Sequence, residues 1–206
     1  MPDCRITLLR SGDIDLVNLS KGQSVSLEKR GGGDLSQVTM GLGWDVAMKK
    51  GLFGLKPGAS VDLDASCVMF NSAGELVDTV WFGQLRSRDG SVVHTGDNRT
   101  GAGDGDDEQI KVDLTRVPVD VSTLVFTVNS FTGITFETIE NATCRIVDQA
   151  TGDEIARYNL TGSGRHTAQI MAKLTRNSGR WTMTALGEIA SGRTMHDLLP
   201  VIRTKL

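Results

Sequence analysis

The chain predicts an all-β fold, an antiparallel β-sandwich of two sheets with a short C-terminal helix. Three observations carry this expectation. Period-two alternation of apolar and polar residues recurs along most of the 206 residues, turn-forming clusters separate the alternating stretches at hairpin spacing, and only one late segment has helical character. A strand that alternates in this way buries one face and must stack on a second sheet to do so.

Residues 1 to 16 precede the first pattern and read as an N-terminal arm, with residues 17 to 206 as the domain. Gly31, Gly32 and Gly33 form a flexible turn between Ser24–Glu28 and a strand running from Val38 to Trp44. From Val61 to Met69 the residues Val61, Leu63, Ala65, Cys67 and Met69 share one face, while Asp62, Asp64 and Ser66 take the other, as in a half-buried strand. Leu76–Phe82 follows, and then Ile110, Val112 and Leu114 alternate with Gln109, Lys111 and Asp113. The remaining strands are Leu124–Asn129, Thr143–Val147, Glu154–Asn159, Ala168–Leu174 and Arg180–Leu186. Asn71-Ser72-Ala73-Gly74, Asp89-Gly90, Thr151-Gly152-Asp153 and Arg176-Asn177-Ser178-Gly179 supply hairpin turns. Thr194 caps a helical turn through Met195–Leu199, ended by Pro200 and expected to pack against a sheet edge.

A net charge of −3 provides no basic footprint for nucleic acid, so none is expected as a partner. No apolar run approaches the roughly 20 residues that span a bilayer, and Asp3 and Arg10 do not suit a signal peptide. A cytoplasmic location is expected. Cys4, Cys67 and Cys144 are odd in number and far apart, which fits reduced thiols, with Cys67 and Cys144 on apolar strand positions.

The chemistry concentrates in residues 96–108, where Asp97, Asp104, Asp106, Asp107 and Glu108 crowd around a single Arg99. Gly96, Gly101, Gly103 and Gly105 let the backbone turn sharply, so carbonyls such as that of Gly103, the Asn98 amide and the carboxylates can converge. An all-oxygen set on a loop suits calcium, which takes about 6–8 oxygens; zinc would want His or Cys. Asp62 and Asp64 are two apart on one strand face, about 7 Å between Cα atoms, so one cation fits between them. Asp45 closes the glycine-bearing segment Gly41-Leu42-Gly43-Trp44-Asp45. If the fold gathers these elements, acidic side chains crowd one pole, and more than one calcium ion would relieve their repulsion. An EF-hand is excluded, because Gln109 stands where the Asp104-x-Asp106-x-Glu108 spacing would require glycine.

These motifs, together with His94-Thr95-Gly96-Asp97-Asn98-Arg99-Thr100-Gly101 and Ala156-Arg157-Tyr158-Asn159-Leu160, resemble the TerD-domain family from about Val17 to Leu199. Val125–Gly133 and Gly192-Arg193-Thr194 are similar to its TerZ branch. The resemblance implies a calcium-binding sandwich of bacterial tellurite-resistance and stress-response operons, without established enzymatic activity. It also implies partners among the other proteins of such operons, a membrane component included. Ala102 stands where family members often carry an acidic residue.

Other constellations are weaker. His94, His166 and His196 are scattered, Gly162–Thr167 lacks the phosphate-loop lysine, and no nucleophile elbow occurs, so a non-enzymatic protein is expected. Leu52, Phe53 and Leu55 form an apolar tip among Lys49, Lys50 and Lys56, which suits a peripheral membrane or partner contact. Trp44, Trp81, Trp181 and Tyr158 leave a calcium-assisted carbohydrate binder as an alternative, and an enzyme with structural calcium is a further one.

Overall fold

The computed structural model describes residues 17–18, 24–26, 34–45, 48–51, 54–57, 61–98, 105–159 and 164–206. Two six-stranded sheets stack face to face. Numbered in chain order, the first contains β1 (Val17–Asn18), β3 (Gln37–Asp45), β8 (Val92–His94), β9 (Glu108–Asp113), β11 (Glu140–Asp148) and β12 (Glu154–Asn159). Their order across the sheet is β1-β12-β11-β3-β9-β8. The second contains β2 (Ser24–Ser26), β6 (Leu63–Asn71), β7 (Leu76–Val80), β10 (Val121–Ser130), β13 (Ala168–Asn177) and β14 (Arg180–Ala190), in the order β2-β14-β13-β10-β6-β7. Pairing is antiparallel throughout except that β1 runs parallel to β12. β4 (Met48–Gly51) and β5 (Gly54–Pro57) form a separate hairpin.

Alternation explains the core between the sheets. Val38, Met40, Leu42 and Trp44 of β3, with Ile110, Val112, Cys144 and Ile146, meet Leu63, Ala65, Cys67 and Met69 of β6 and Leu124, Phe126 and Val128 of β10. Both described cysteines are buried thiols, and burial pushes that of Cys144 up to about 12. Trp181 faces the same core.

Three expectations change. β6 is buried on both faces, and helix α1 (Met195–Arg203) covers the Val68 and Phe70 end of the outer one. Val68, Phe70, Val125 and Ile170 lie beneath Met195, Leu198 and Ile202 in a second apolar cluster. The helix therefore packs on a sheet face instead of an edge. It also runs through Pro200, which leaves the His196 carbonyl without its helical donor. Ile202, four residues beyond Leu198, buries in the same cluster and carries the helix another turn. At its start the Thr194 N–H donates to the Asp197 carboxylate at 3.0 Å, closing a capping box. The arm at 1–16, the glycine run at 31–33 and the tip residues Leu52 and Phe53 lie outside the described residues.

Replacing the fully buried Leu198 by alanine should cost about 2–5 kcal/mol, read as a lower urea midpoint. An unchanged midpoint would show that α1 adds nothing to the fold.

Candidate functional site

The returning limb of the acidic loop lies flat on β3, and glycine makes that possible. A Cβ at Gly43 would stand 2.8 Å from the Gly105 carbonyl oxygen, and one at Gly41 would collide with the Asp106 carboxylate. Without side chains there, the Asp107 N–H donates to Leu42 O at 2.8 Å and the Trp44 N–H donates to the Asp107 carboxylate at 2.9 Å. Asn98 straps the outgoing limb to the returning one, its Nδ2 donating to Asp107 Oδ1 at 2.9 Å.

The three consecutive acidic residues of the expected set, Asp106, Asp107 and Glu108, separate by task. Asp106 forks onto Arg145 of β11 through bonds of 2.8 and 3.1 Å. Arg145 also reaches Glu154, which Arg157 clamps at 2.6 and 2.7 Å. The hydrogen bonds from Arg157, then the one from Arg145, hold the Glu154 carboxyl below its ordinary value. Asp107 is pushed up, chiefly by burial and further by the charges of Asp45, Glu108 and Asp106, against the Trp44 N–H that favours its anion.

Glu108 crosses between the sheets. Its fully buried carboxylate accepts the Ala65 N–H at 2.7 Å and the Asn98 N–H at 3.2 Å. β7 pairs only with Cys67–Phe70 of β6, so at Ala65 this carboxylate takes the place of a neighbouring strand. His94 lies 3.3 Å away through Nε2, and its Nδ1 accepts the Gly96 N–H at 3.1 Å.

What remains is a tight carboxylate group. One oxygen from each of Asp62, Asp64 and Asp97 lies within 4.8 Å of the others, the one such acidic trio among the described residues. Asp64 is buried on β6, Asp62 is half-buried just before it, and Asp97 is exposed on the loop. At an effective dielectric near 20, ionised neighbours at this spacing repel by about 3 kcal/mol per pair. They border an open cavity of about 200 Å³ whose other walls are Phe82 and Phe131. The arrangement is a hard-oxygen cradle with an apolar rim.

Of the residues singled out from sequence, Asp62, Asp64 and Asp97 come together as a group. Asp45, Asn98, Asp107 and Glu108 stand around the same pole, Asp45 exposed at the end of β3. Asp106 instead serves the Arg145 ion pair on the first sheet. Gly103 and Asp104 lie outside the described residues, and Leu55 falls on β5 opposite Lys50. Sequence reasoning missed Phe82, Phe131, His94 and Arg145. Phe131 belongs to the Val125–Gly133 run that carried the likeness, but nothing in its spacing announced a cavity wall.

A model of the TerD domain matches residues 16–199. The tellurium resistance protein TerZ of Serratia marcescens is 54% identical over 185 residues, covering 89% of this chain and 95% of that protein. The stress response protein SCP2 of Bacillus subtilis is 40% identical over 196 residues, covering 89% and 97%. A crystal structure of a TerD homologue from Streptomyces coelicolor superposes with a TM-score of 0.63 over 77% of this chain and 92% of that one, at 23% identity. That likeness speaks for the fold alone.

Gly43→Ala should destabilise by about 1–3 kcal/mol in urea unfolding, since the obstacle is backbone and not a movable side chain; a neutral substitution would mean the loop does not lie as described. The depressed Glu154 carboxyl stabilises the fold above its ordinary value of 4.5, a contribution lost as pH falls through the lower folded value. The stability gap between wild type and Glu154→Gln should therefore narrow on acidification below that point. A gap constant with pH counts against the clamp.

Proposed function

This chain belongs to the TerD domain family, a family of tellurium-resistance and stress-response proteins, and from that premise we propose that it is a non-enzymatic calcium-binding protein whose ion orders an acidic pole for partners to read. The observation that carries the reading is the convergence of Asp62, Asp64 and Asp97 within 4.8 Å. Three carboxylates can offer up to six hard oxygens to one cation, in the range calcium takes, and the cradle contains no thiolate or imidazole to favour zinc. Calcium, when bound, supplies the positive charge that turns their mutual repulsion into attraction.

Each residue has a part in that event. Asp64 is held on a strand buried on both faces, so it cannot swing away. Asp97 comes from the loop, three residues beyond His94, and binding it to the strand carboxylates closes the loop onto β6. Asn98 and Glu108 fasten the same loop from behind by the bonds already described. Ligation thus fixes the Asp97 limb against β6 as a defined surface, and the ligand-bound fold gains about 2.7 kcal/mol at a hundredfold excess of ion over Kd. Partners are expected among the other proteins of a tellurium-resistance system, a membrane component included. No helix among the described residues is long and apolar enough to cross a membrane.

Calcium should raise the melting temperature of the purified protein, and Asp64→Asn should abolish the rise. In chelator the same variant should melt no lower than wild type, because it removes one repelling charge. Identical wild-type melts in excess calcium and in chelator would refute the reading.

A further inference from the structure

We propose that Asn129 supplies a further oxygen to the Asp62–Asp64–Asp97 site and couples its occupancy to the C-terminal helix. This rests on the calcium reading above. Asn129 stands directly opposite Asp64 in the pairing of β10 with β6. Side chains so paired share one face of the sheet, with Cβ atoms about 4.5–5.5 Å apart. The face is the outer one, since Val128 on one side of Asn129 and Leu63 next to Asp64 both point into the core between the sheets.

The orientation of the Asn129 amide is set by its nitrogen. Nδ2 donates to Gly192 O at 3.3 Å. Gly192 is itself held beside the start of β13, its N–H donating to Thr167 Oγ1 at 3.1 Å. β13 and β6 flank β10 on opposite sides, so the nitrogen faces β13 and Oδ1 faces β6 and Asp64. Asn129 is 0% exposed, and Oδ1 has no hydrogen-bond partner there. A buried carbonyl oxygen in that position is an uncompensated acceptor, and an Asn amide oxygen is an ordinary calcium ligand. The cation resolves both facts at once.

The same amide reaches the helix. Gly192 leads into Arg193 and Thr194, whose N–H groups both donate to Asp197 in the first turn of α1, at 2.8 and 3.0 Å. A Cβ at Gly192 would stand 2.6 Å from the Asp197 Cβ, so this turn is packed against the helix start. An ion drawing on Oδ1 polarises the amide and strengthens its donation to Gly192. Occupancy is thereby transmitted to the seat of α1.

The test is calorimetric titration of calcium into wild type, Asn129→Ala and Asn129→Asp, with hydrogen exchange of the α1 amides read with and without calcium. Asn129→Ala should weaken calcium about tenfold or more, and calcium should slow α1 exchange in wild type alone. Asn129→Asp keeps an oxygen for the ion but has no donor for Gly192, so it should retain affinity and lose the effect on α1. Asn129→Ser, whose hydroxyl stops short, replaces the alanine variant should that one fail to fold. Equal calcium affinity in wild type and the truncated variant overturns the ligand assignment while leaving the calcium reading intact. Unchanged α1 exchange in calcium-bound wild type overturns the coupling, and absence of calcium binding to wild type overturns both readings together.

Discussion

A strand buried on both faces is the constraint from which the rest of this molecule follows. β6 carries Leu63, Ala65, Cys67 and Met69 into the core between the sheets, and Val68 and Phe70 into the cluster beneath α1. Asp64 and Ser66 occupy the remaining stretch of its outer face and are buried as well. An ionisable group on such a strand cannot relax into water, so its charge must be met where it stands. The acidic pole is the consequence: loop, cavity and opposing strand are arranged around a carboxylate that has nowhere to go.

Around that fixed point, the acidic residues of residues 105–108 are spent mostly on architecture. Glu108 acts as a missing strand for Ala65, Asp107 receives Trp44, and Asp106 ties the loop to β11 through Arg145. These three bonds run to β6, β3 and β11, so the loop joins both sheets at one end. Gly41 and Gly43 permit this by removing the side chains that would hold the loop off β3. Positioning Asp97 precedes any use of it.

Much of the fold is legible in the sequence because a sandwich core is a period-two pattern, and Val61–Met69 or Ile110–Leu114 display it plainly. The misreadings have physical causes. Pro200 looks like a stop, yet the spacing of Met195, Leu198 and Ile202 outweighs one lost hydrogen bond. The outer face of β6 looks solvated because the residues that cover it lie more than a hundred positions away. At the site, Asp62 and Asp64 are readable as a pair from alternation alone. The diversion of Asp106 to Arg145 is not, because an ion pair across 39 residues leaves no local signature. Nor is Asn129, whose meaning depends on strand register.

Each sheet ends on one side in a short strand. β8, at one end of the first sheet, has three residues, and β7, at one end of the second, has five. The long strands, β3, β6, β10, β11, β13 and β14, all lie inside. Exposed sheet edges are templates on which other chains can add strands, and brevity blunts them. On these two sides the sandwich offers little edge on which a neighbouring chain could add a strand, so strand exchange there is a poor route to association.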